Sequence, residues 1–274
     1  MTEPLAVTRE RFFAIIEYFN DIFIYIYNDK YWLSPSYFWY HISRHIKKGR
    51  HLEEKNDKDL FIRHGKTQWN LQSRYQGAHG DSPLLKSSYQ EIELLAKSLN
   101  NTAFAHVYAS PLKRARVTAM TLLDNLEQTV PFTIDSRLRE FDLGLMEGMH
   151  FSAVAEKWPA VLDSFRHHPD RYDASIVQSE SFPEVIARVG QADKEYARCY
   201  SGNQNLLIVS HGAALNAAIN GLLAVPMAHL KDRGGLSNTS TTILRTDDAE
   251  HFELEKWNDT TYLHKEHLDP TDTI

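Results

Sequence analysis

The sequence is poor in cysteine, the residue that crosslinks secreted chains and binds soft metals. Only one of its 274 residues, Cys199, is a cysteine. A single cysteine excludes an intrachain disulfide and a cysteine-based zinc site, and it suits a reducing compartment. We therefore expect a cytoplasmic protein.

Long apolar runs and an excess of positive charge are also missing. No stretch reaches the roughly 18 to 20 consecutive apolar residues that span a membrane. The start, MTEPLAVTRERFF, lacks the basic region and small-residue cleavage site of a secretory signal. Thirty Lys and Arg against 36 Asp and Glu give a net charge of -6. We therefore expect neither nucleic acid nor a membrane as partner, and an anionic substrate would need a local cluster of cations.

The first fifty residues differ in composition from the rest, and residues 1–56 form a predicted N-terminal extension. Two interpretations of it remain open. Apolar residues at helical spacing allow an amphipathic helix; they are Phe12, Ile15, Ile16, Phe19, Phe23 and Ile26. Alternatively, the richness in Phe, Ile, Tyr, Asn and Lys is what AT-rich DNA yields when read through, and the segment is not native coding sequence. Residues 57–274 are predicted to form the domain.

After a polar linker, residues 47–59, β-type apolar runs alternate with helical patterns. The predicted strands are 60–62, 106–109, 132–134, 206–209, 241–244 and the more polar 251–257. The predicted helices are 87–99, 112–126, 153–165, 182–200 and 213–223. Strands separated by helices predict an α/β three-layer sandwich, in which a mostly parallel sheet carries helices on both faces.

Charged residues follow several of these strands, at the edge where open α/β sheets bind ligands. LFIRHG ends in Arg63 and His64, and LLIVSHG ends in His211. Arg114 falls in the first turn of the helix after a third strand, and Glu140 lies just beyond a fourth. Taken singly, each is ordinary for a solvated loop or a helix surface. Together they would repel one another or resist desolvation unless a ligand neutralised them.

The chemistry of this set favours an anion over a metal. Two histidines could bind zinc, but the neighbouring arginines oppose a divalent cation and the sequence shows no third neutral ligand. We therefore expect neither a metal nor a cofactor. Guanidinium groups bind phosphate oxygens with paired hydrogen bonds, so a phosphate group is the expected ligand.

The motifs around these residues resemble those of a known family. RHGKTQWN, RYQG, DSPL, YASPLKRARVT, LREFDLGLMEG and VSHG follow one another between residues 60 and 212. This ordered set resembles the histidine phosphatase superfamily, the phosphoglycerate mutase-like proteins. The segment between Phe141 and His211 is similar to the short helical lid insertion of the broad-specificity phosphatase branch, including HPDRY and ESFPEVIARV.

The resemblance implies a role for each residue of the set. His64 would be the nucleophile that becomes a phosphohistidine, while Arg63, Arg114 and His211 would bind the phosphoryl oxygens. Glu140 would act as general acid and then as general base. Residues of the surrounding turns would bind substrate, namely Lys66, Asn70, Gln76, Gly77 and Gly212.

These roles imply particular protonation states. His64 must be neutral, and a hydrogen bond from its other ring nitrogen to a backbone acceptor would orient it. A protonated His211 would join the two arginines in matching the charge on the phosphoryl oxygens. Glu140, if partly buried, could hold the proton that the leaving group needs.

The sequence favours a phosphomonoesterase acting on small phosphorylated metabolites. The lid is short, and Ala213 follows His-Gly where mutases tend to have Asn. A phosphoglycerate mutase that uses the same phosphohistidine is the alternative. A catalytically silent phospho-ligand binder is the second alternative, against which the complete set of site residues argues. A homodimer is left open.

Overall fold

The computed structural model describes residues 57–200 and 204–264. The predicted extension, residues 1–56, lies outside the described residues. The strands within the described ranges are β1 Asp57–Arg63, β2 Phe104–Ala109, β3 Phe132–Ile134, β4 Asn205–Ser210, β5 Thr241–Thr246 and β6 Phe252–Asp259. The α-helices there are α1 Gln68–Leu71, α2 Lys86–Leu99, α3 Lys113–Asn125, α4 Phe151–Lys157, α5 Pro159–His167, α6 Phe182–Cys199 and α7 Gly212–Leu222. None of these helices has both the length and the apolar character of a transmembrane span.

The strands form one six-stranded sheet in the order β3-β2-β4-β1-β5-β6. β1, β4, β2 and β3 run parallel, whereas β5 pairs antiparallel with both β1 and β6. The predicted mostly parallel sheet is thus confirmed. β1 and β4 are direct neighbours, with Arg63 opposite Ser210. His64 and His211, the residues that follow these two strands, therefore meet at the same edge of the sheet.

Both faces of the sheet are covered, which explains why its central strands are apolar along most of their length. Leu60 and Ile62 of β1 pack into a core with α2 and α3. Phe61, which points to the opposite face, packs into a second core with α6 and α7. The two cores confirm the predicted three-layer arrangement.

The insertion between β3 and α6 differs from the prediction in one respect. Residues 153–165 were expected to form one helix, but α4 ends at Lys157 and α5 begins at Pro159. Trp158 between them has φ -137° and ψ 63°, which is not helical. Proline has no N–H to continue the helix and disfavours a helical conformation in the residue before it. The break therefore follows from Pro159.

Two carboxyl groups are buried where the second core meets the sheet. Asp59 of β1 and Asp193 of α6 are each 1% exposed. Within the described structure, Asp59 Oδ2 and both Asp193 carboxylate oxygens have no hydrogen-bond partner. Burial, followed by the neighbouring charge of Asp57, raises the pKa of Asp59 to about 7. Burial and the charge of Asp59 raise the pKa of Asp193 well above its usual range.

This pair predicts a pH-dependent stability. An unfolded aspartate has a pKa of about 3.9. Because the folded pKa values are higher, the pair's contribution to stability is complete below about pH 4 and is lost as pH rises through 7. Asp193→Asn removes one of the two charges. We expect its free energy of unfolding, relative to wild type, to rise by about 1 kcal/mol or more between pH 5 and pH 8.

Urea denaturation at several pH values measures this difference. Asp124→Asn, at an exposed position of α3, is the matched control and should follow wild type at every pH. If Asp193→Asn tracked wild type across the same range, the carboxyl pair would not be a source of the pH dependence.

Candidate active site

His64 lies directly after β1 and is 4% exposed. Its backbone N–H donates to the Ser210 carbonyl (3.0 Å), which ties it to β4. Its ring Nδ1 lies 2.8 Å from the Gly65 carbonyl oxygen. A carbonyl oxygen can only accept, so Nδ1 carries the proton and the Nε2 lone pair of the neutral ring is available for attack. This is the backbone hydrogen bond that the sequence led us to expect.

The surroundings keep this ring neutral. Burial, followed by the positive charges of Arg114 and Arg63, lowers the pKa of His64 well below its usual value. The turn that follows it is attached to α3, because the Gly65 N–H donates to Thr118 Oγ1 (3.0 Å) and that hydroxyl donates to the Arg114 carbonyl (2.8 Å). The nucleophile candidate and one arginine are thus positioned by the same contacts.

Arg114 is 1% exposed and its guanidinium is held mainly by neutral acceptors. Nη2 donates to the carbonyls of Gln76 (3.3 Å) and Gly77 (3.0 Å), and Nη1 donates to the carbonyl of Gly80 (2.8 Å). A Cβ on Gly77 would lie 2.4 Å from Glu147 Oε1, so only glycine fits the turn as it stands. The predicted Gln76-Gly77 turn therefore positions Arg114 through its backbone.

Arg63, the last residue of β1, is completely buried. Its Nη1 donates to the Leu236 carbonyl. Gly212, the first residue of α7, allows its close approach, because a Cβ there would lie 2.9 Å from Arg63 Nε. Gly212 thus leaves the space that Arg63 occupies, and its predicted contact with substrate stays a prediction.

His211, which directly follows β4, lies beside His64 and Arg114. Its ring centroid lies 5.2 Å from that of His64. Nδ1 accepts from Arg114 Nε (3.2 Å), and Nε2 lies 2.7 Å from Ser110 Oγ. Burial and then the charge of Arg114 lower the pKa of His211 well below its usual value. The structure therefore favours a neutral His211 before substrate binds, because a second cation beside buried arginines is disfavoured by desolvation and repulsion. Its protonation beside a phosphoryl group stays a prediction.

Glu140 is 3% exposed and reaches the amino terminus of α7. Its Oε1 accepts from the backbone N–H groups of Phe141 (2.9 Å) and Ala214 (2.7 Å), and its Oε2 accepts from that of Ala213 (3.1 Å). Backbone donors and the positive end of a helix dipole stabilise a carboxylate. The Glu140 carboxylate is thus hydrogen-bonded to the first turn of α7, the helix that begins directly after His211.

The side chains of Asn70 and Gln76 make hydrogen bonds inside the turn that follows His64. Asn70 Oδ1 accepts from the Thr67 N–H (3.0 Å) and caps the short helix α1. Thr67 Oγ1 also donates to Gln76 Oε1 (2.8 Å). Lys66 is 7% exposed, and its carbonyl accepts from Ser88 Oγ (2.8 Å). Contact of these three side chains with substrate stays a prediction.

A polar turn before β5 contributes contacts that were not predicted. The Asn238 Nδ2 group donates to the His64 carbonyl (3.1 Å), and the Thr239 N–H donates to the Arg63 carbonyl (3.1 Å). Thr239 has φ 59°, a strained conformation for a β-branched residue. The polar run LSNTS was the only sequence signal for this turn. Ser110, the contact of His211, was not predicted either, and its position directly after β2 was its only sequence signal.

Two buried arginines and two neutral histidines therefore meet at the carboxyl edge of a mostly parallel sheet, with a glutamate at the adjoining helix terminus. This combination defines an α/β protein with buried cations and neutral imidazoles at one edge of its sheet. The sequence profile of the histidine phosphatase superfamily (branch 1) matches residues 60–260. The chain belongs to that superfamily.

A curated relative and two solved structures show the range of the similarity. The probable phosphoglycerate mutase GpmB of Enterobacter sp. (strain 638) is 32% identical over 183 residues, covering 66% of this chain and 80% of the relative. YhfR of Bacillus stearothermophilus matches with a TM-score of 0.70 at 29% identity, covering 76% of this chain and 99% of YhfR. A mycobacterial glucosyl-3-phosphoglycerate phosphatase, solved with VO3, matches with a TM-score of 0.65 at 27% identity, covering 74% and 98%.

The close approach of Arg63 to Gly212 predicts the effect of a single methyl group. Gly212→Ala should displace the guanidinium and weaken the binding of inorganic phosphate by about ten-fold or more, the loss expected for a charge-assisted hydrogen bond. Isothermal titration calorimetry measures this affinity.

Gly190→Ala in α6 is the matched control. A Cβ there would meet only Leu222, at an ordinary 3.8 Å. This variant should bind phosphate like wild type and gain up to about 1 kcal/mol of stability, because alanine favours helix. Unchanged phosphate affinity in Gly212→Ala would show that Arg63 does not contact the anion.

Proposed function

We propose that this chain is a metal-independent phosphomonoesterase that acts on small phosphorylated metabolites through a phosphohistidine at His64. The observation that carries the proposal is the hydrogen bond from His64 Nδ1 to the Gly65 carbonyl, within the electrostatic reach of the buried Arg63 and Arg114. It leaves Nε2 as a free nucleophile next to fixed positive charge.

In the first half-reaction, Nε2 of His64 attacks phosphorus in line with the ester oxygen. An N–P bond forms while the P–O bond to the alcohol breaks, and the electron pair leaves with that oxygen. Arg63 and Arg114 match the charge on the equatorial oxygens. Because carbonyl groups already orient the guanidinium of Arg114, it needs little rearrangement as this charge develops.

Glu140 serves both half-reactions. As the general acid of the first half-reaction, it gives a proton to the departing oxygen of the alcohol. In the second half-reaction, the carboxylate takes a proton from the water that attacks the phosphohistidine. Phosphate is then released, and His64 is again neutral.

His211 acquires its expected charge only together with the substrate. A phosphoryl dianion next to the ring would offset the repulsion from Arg114 that now lowers its pKa. We therefore assign His211 as a neutral residue before binding and as an additional donor to the phosphoryl oxygens after it.

A phosphoglycerate mutase is the second candidate, because the curated relative carries that description. Two features favour the phosphatase: the insertion between Phe141 and α6 is short, and Ala213 offers no side-chain hydrogen bond to a bound phosphoglycerate. The phosphatase among the structural relatives points the same way.

The substrate 3-phosphoglycerate separates the candidates. Wild type should release inorganic phosphate faster than it forms 2-phosphoglycerate. His64→Ala should lower phosphate release by about a thousand-fold or more, because loss of a nucleophile removes the covalent path. His251→Ala, which removes an exposed histidine of the β5–β6 connection, is the matched control and should keep full activity. Enzymatic phosphate assays and NMR of the two phosphoglycerates measure both rates.

Three results would contradict the proposal in different ways. Isomerisation faster than phosphate release would identify a mutase. Equal rates in wild type and His64→Ala would exclude His64 as the nucleophile. Phosphate binding without turnover of 3-phosphoglycerate or para-nitrophenyl phosphate from pH 5 to 8 would identify a binding protein.

A further inference from the structure

We propose that Arg188 and Glu180 are positioning residues for the general acid, and that they act on the reaction through Glu140. The proposal rests on the proposed phosphomonoesterase function, because it concerns the proton transfers of that reaction. Neither Arg188 nor Glu180 was predicted from the sequence as part of the site.

Glu140 lies in a segment without regular secondary structure. Residues 139–143 belong to neither a helix nor a strand, so their buried backbone groups need hydrogen-bond partners from elsewhere. The first turn of α7 binds the Glu140 carboxylate, but it does not hold the backbone from which the side chain extends. A general acid must reach the departing oxygen within hydrogen-bond distance, and a misplacement of about 1 Å is costly.

Arg188 of α6 holds this backbone on the amino-terminal side. It lies three residues after the buried Val185, and its own side chain is only 16% exposed. Nη1 donates to the carbonyls of Arg137 (2.7 Å) and Arg139 (2.8 Å), and Nη2 donates to that of Glu140 itself (3.0 Å). One guanidinium thus binds three carbonyl groups at and before the general acid.

Glu180 binds the same guanidinium and the other side of the segment. Arg188 Nε donates to Glu180 Oε1 and Nη2 donates to Oε2, each at 2.8 Å. Such paired, charge-assisted hydrogen bonds fix the orientation of both groups. Glu180 Oε2 also accepts from the Asp142 N–H (2.9 Å), and the Glu180 N–H donates to the Asp142 carbonyl (2.8 Å). The pair therefore holds the backbone on both sides of Glu140.

These contacts require an arginine. The hydrogen bonds to three carbonyls and two carboxylate oxygens match the five N–H donors of one guanidinium. A lysine carries three donors on a single atom and cannot reach the same set of acceptors. Arg188→Lys therefore keeps the positive charge and loses most of the contacts to the Glu140 segment.

Esters that differ in their leaving group test the positioning role. Phenyl phosphate and para-nitrophenyl phosphate have similar shapes, but phenolate is the stronger base and depends more on a proton donor as it leaves. Arg188→Lys should lower kcat/KM for phenyl phosphate at least about ten-fold more than for para-nitrophenyl phosphate, because a displaced general acid affects mainly the poorer leaving group. Phenol and nitrophenol release measure the two values.

A double-variant comparison shows whether Arg188 acts through Glu140. Glu140→Gln removes the general acid and should show the same leaving-group dependence as Arg188→Lys. The variant that combines both substitutions should match Glu140→Gln on phenyl phosphate within about two-fold, because residues that act as one unit do not have additive effects.

Two further variants complete the comparison. Glu180→Gln keeps the shape of the side chain but removes its charge, and should show a smaller loss with the same leaving-group dependence. It also tests the role if Arg188→Lys does not fold. Arg198→Lys, at an exposed position of the same helix, is the matched control and should leave both esters unchanged.

The outcomes separate the positioning role from the proposed function. An equal loss on both esters in Arg188→Lys and Glu180→Gln would overturn the role, because it would mean that the pair supports folding or phosphate binding instead. A further loss of about ten-fold or more in the double variant would overturn it as well. If wild type hydrolysed neither ester, the proposed function would fail, and the positioning role with it.

Discussion

The burial of two arginines beside a histidine is the constraint on which the rest of the site depends. Removing guanidinium charges from water is costly unless hydrogen bonds replace the lost hydration. Here those bonds come mainly from carbonyl groups: Leu236 for Arg63, and Gln76, Gly77 and Gly80 for Arg114. Carbonyl dipoles fix the groups without cancelling their charge, and the one carboxylate paired with Arg114 in the described structure, Asp81, lies at a longer 3.5 Å from Nη1. Burial, followed by the positive field that remains, keeps the pKa of His64 low and its ring neutral. The same field favours an anion.

One face of β1 shows how the fold serves this site. Asp59, Phe61 and Arg63 alternate along the strand and therefore point toward the same helical layer. Phe61 packs into the core there, Arg63 approaches Gly212 of α7, and Asp59 lies within the electrostatic reach of Asp193 in α6. The apolar core thus separates the cationic end of the strand, at Arg63, from an unfavourable carboxyl pair. The stability of the domain and the chemistry of its site depend on different ends of one strand.

The sheet and the convergence of charges could be predicted from sequence, because they follow from local patterns. Apolar runs that end in Arg63-His64 and in His211 predict strands, and adjacent parallel strands bring their ends together. Pro159 also indicates a break in the helix at Trp158. The apolar periodicity on both sides of it instead favoured one continuous helix. The contacts of Thr118 and Asn238 were not predictable, because both are ordinary polar residues whose partners are distant in sequence. The neutral state of His211 likewise depends on burial, which motifs do not report.

The central claim is that phosphoryl transfer proceeds through a covalent intermediate on His64. The stereochemistry at phosphorus tests it most directly, by turnover of a phosphomonoester made chiral with oxygen isotopes and sulfur. Each in-line displacement inverts the configuration at phosphorus. Two displacements, first by His64 and then by water, predict net retention in the released thiophosphate. Net inversion would mean that water attacks the ester directly, and would contradict the account.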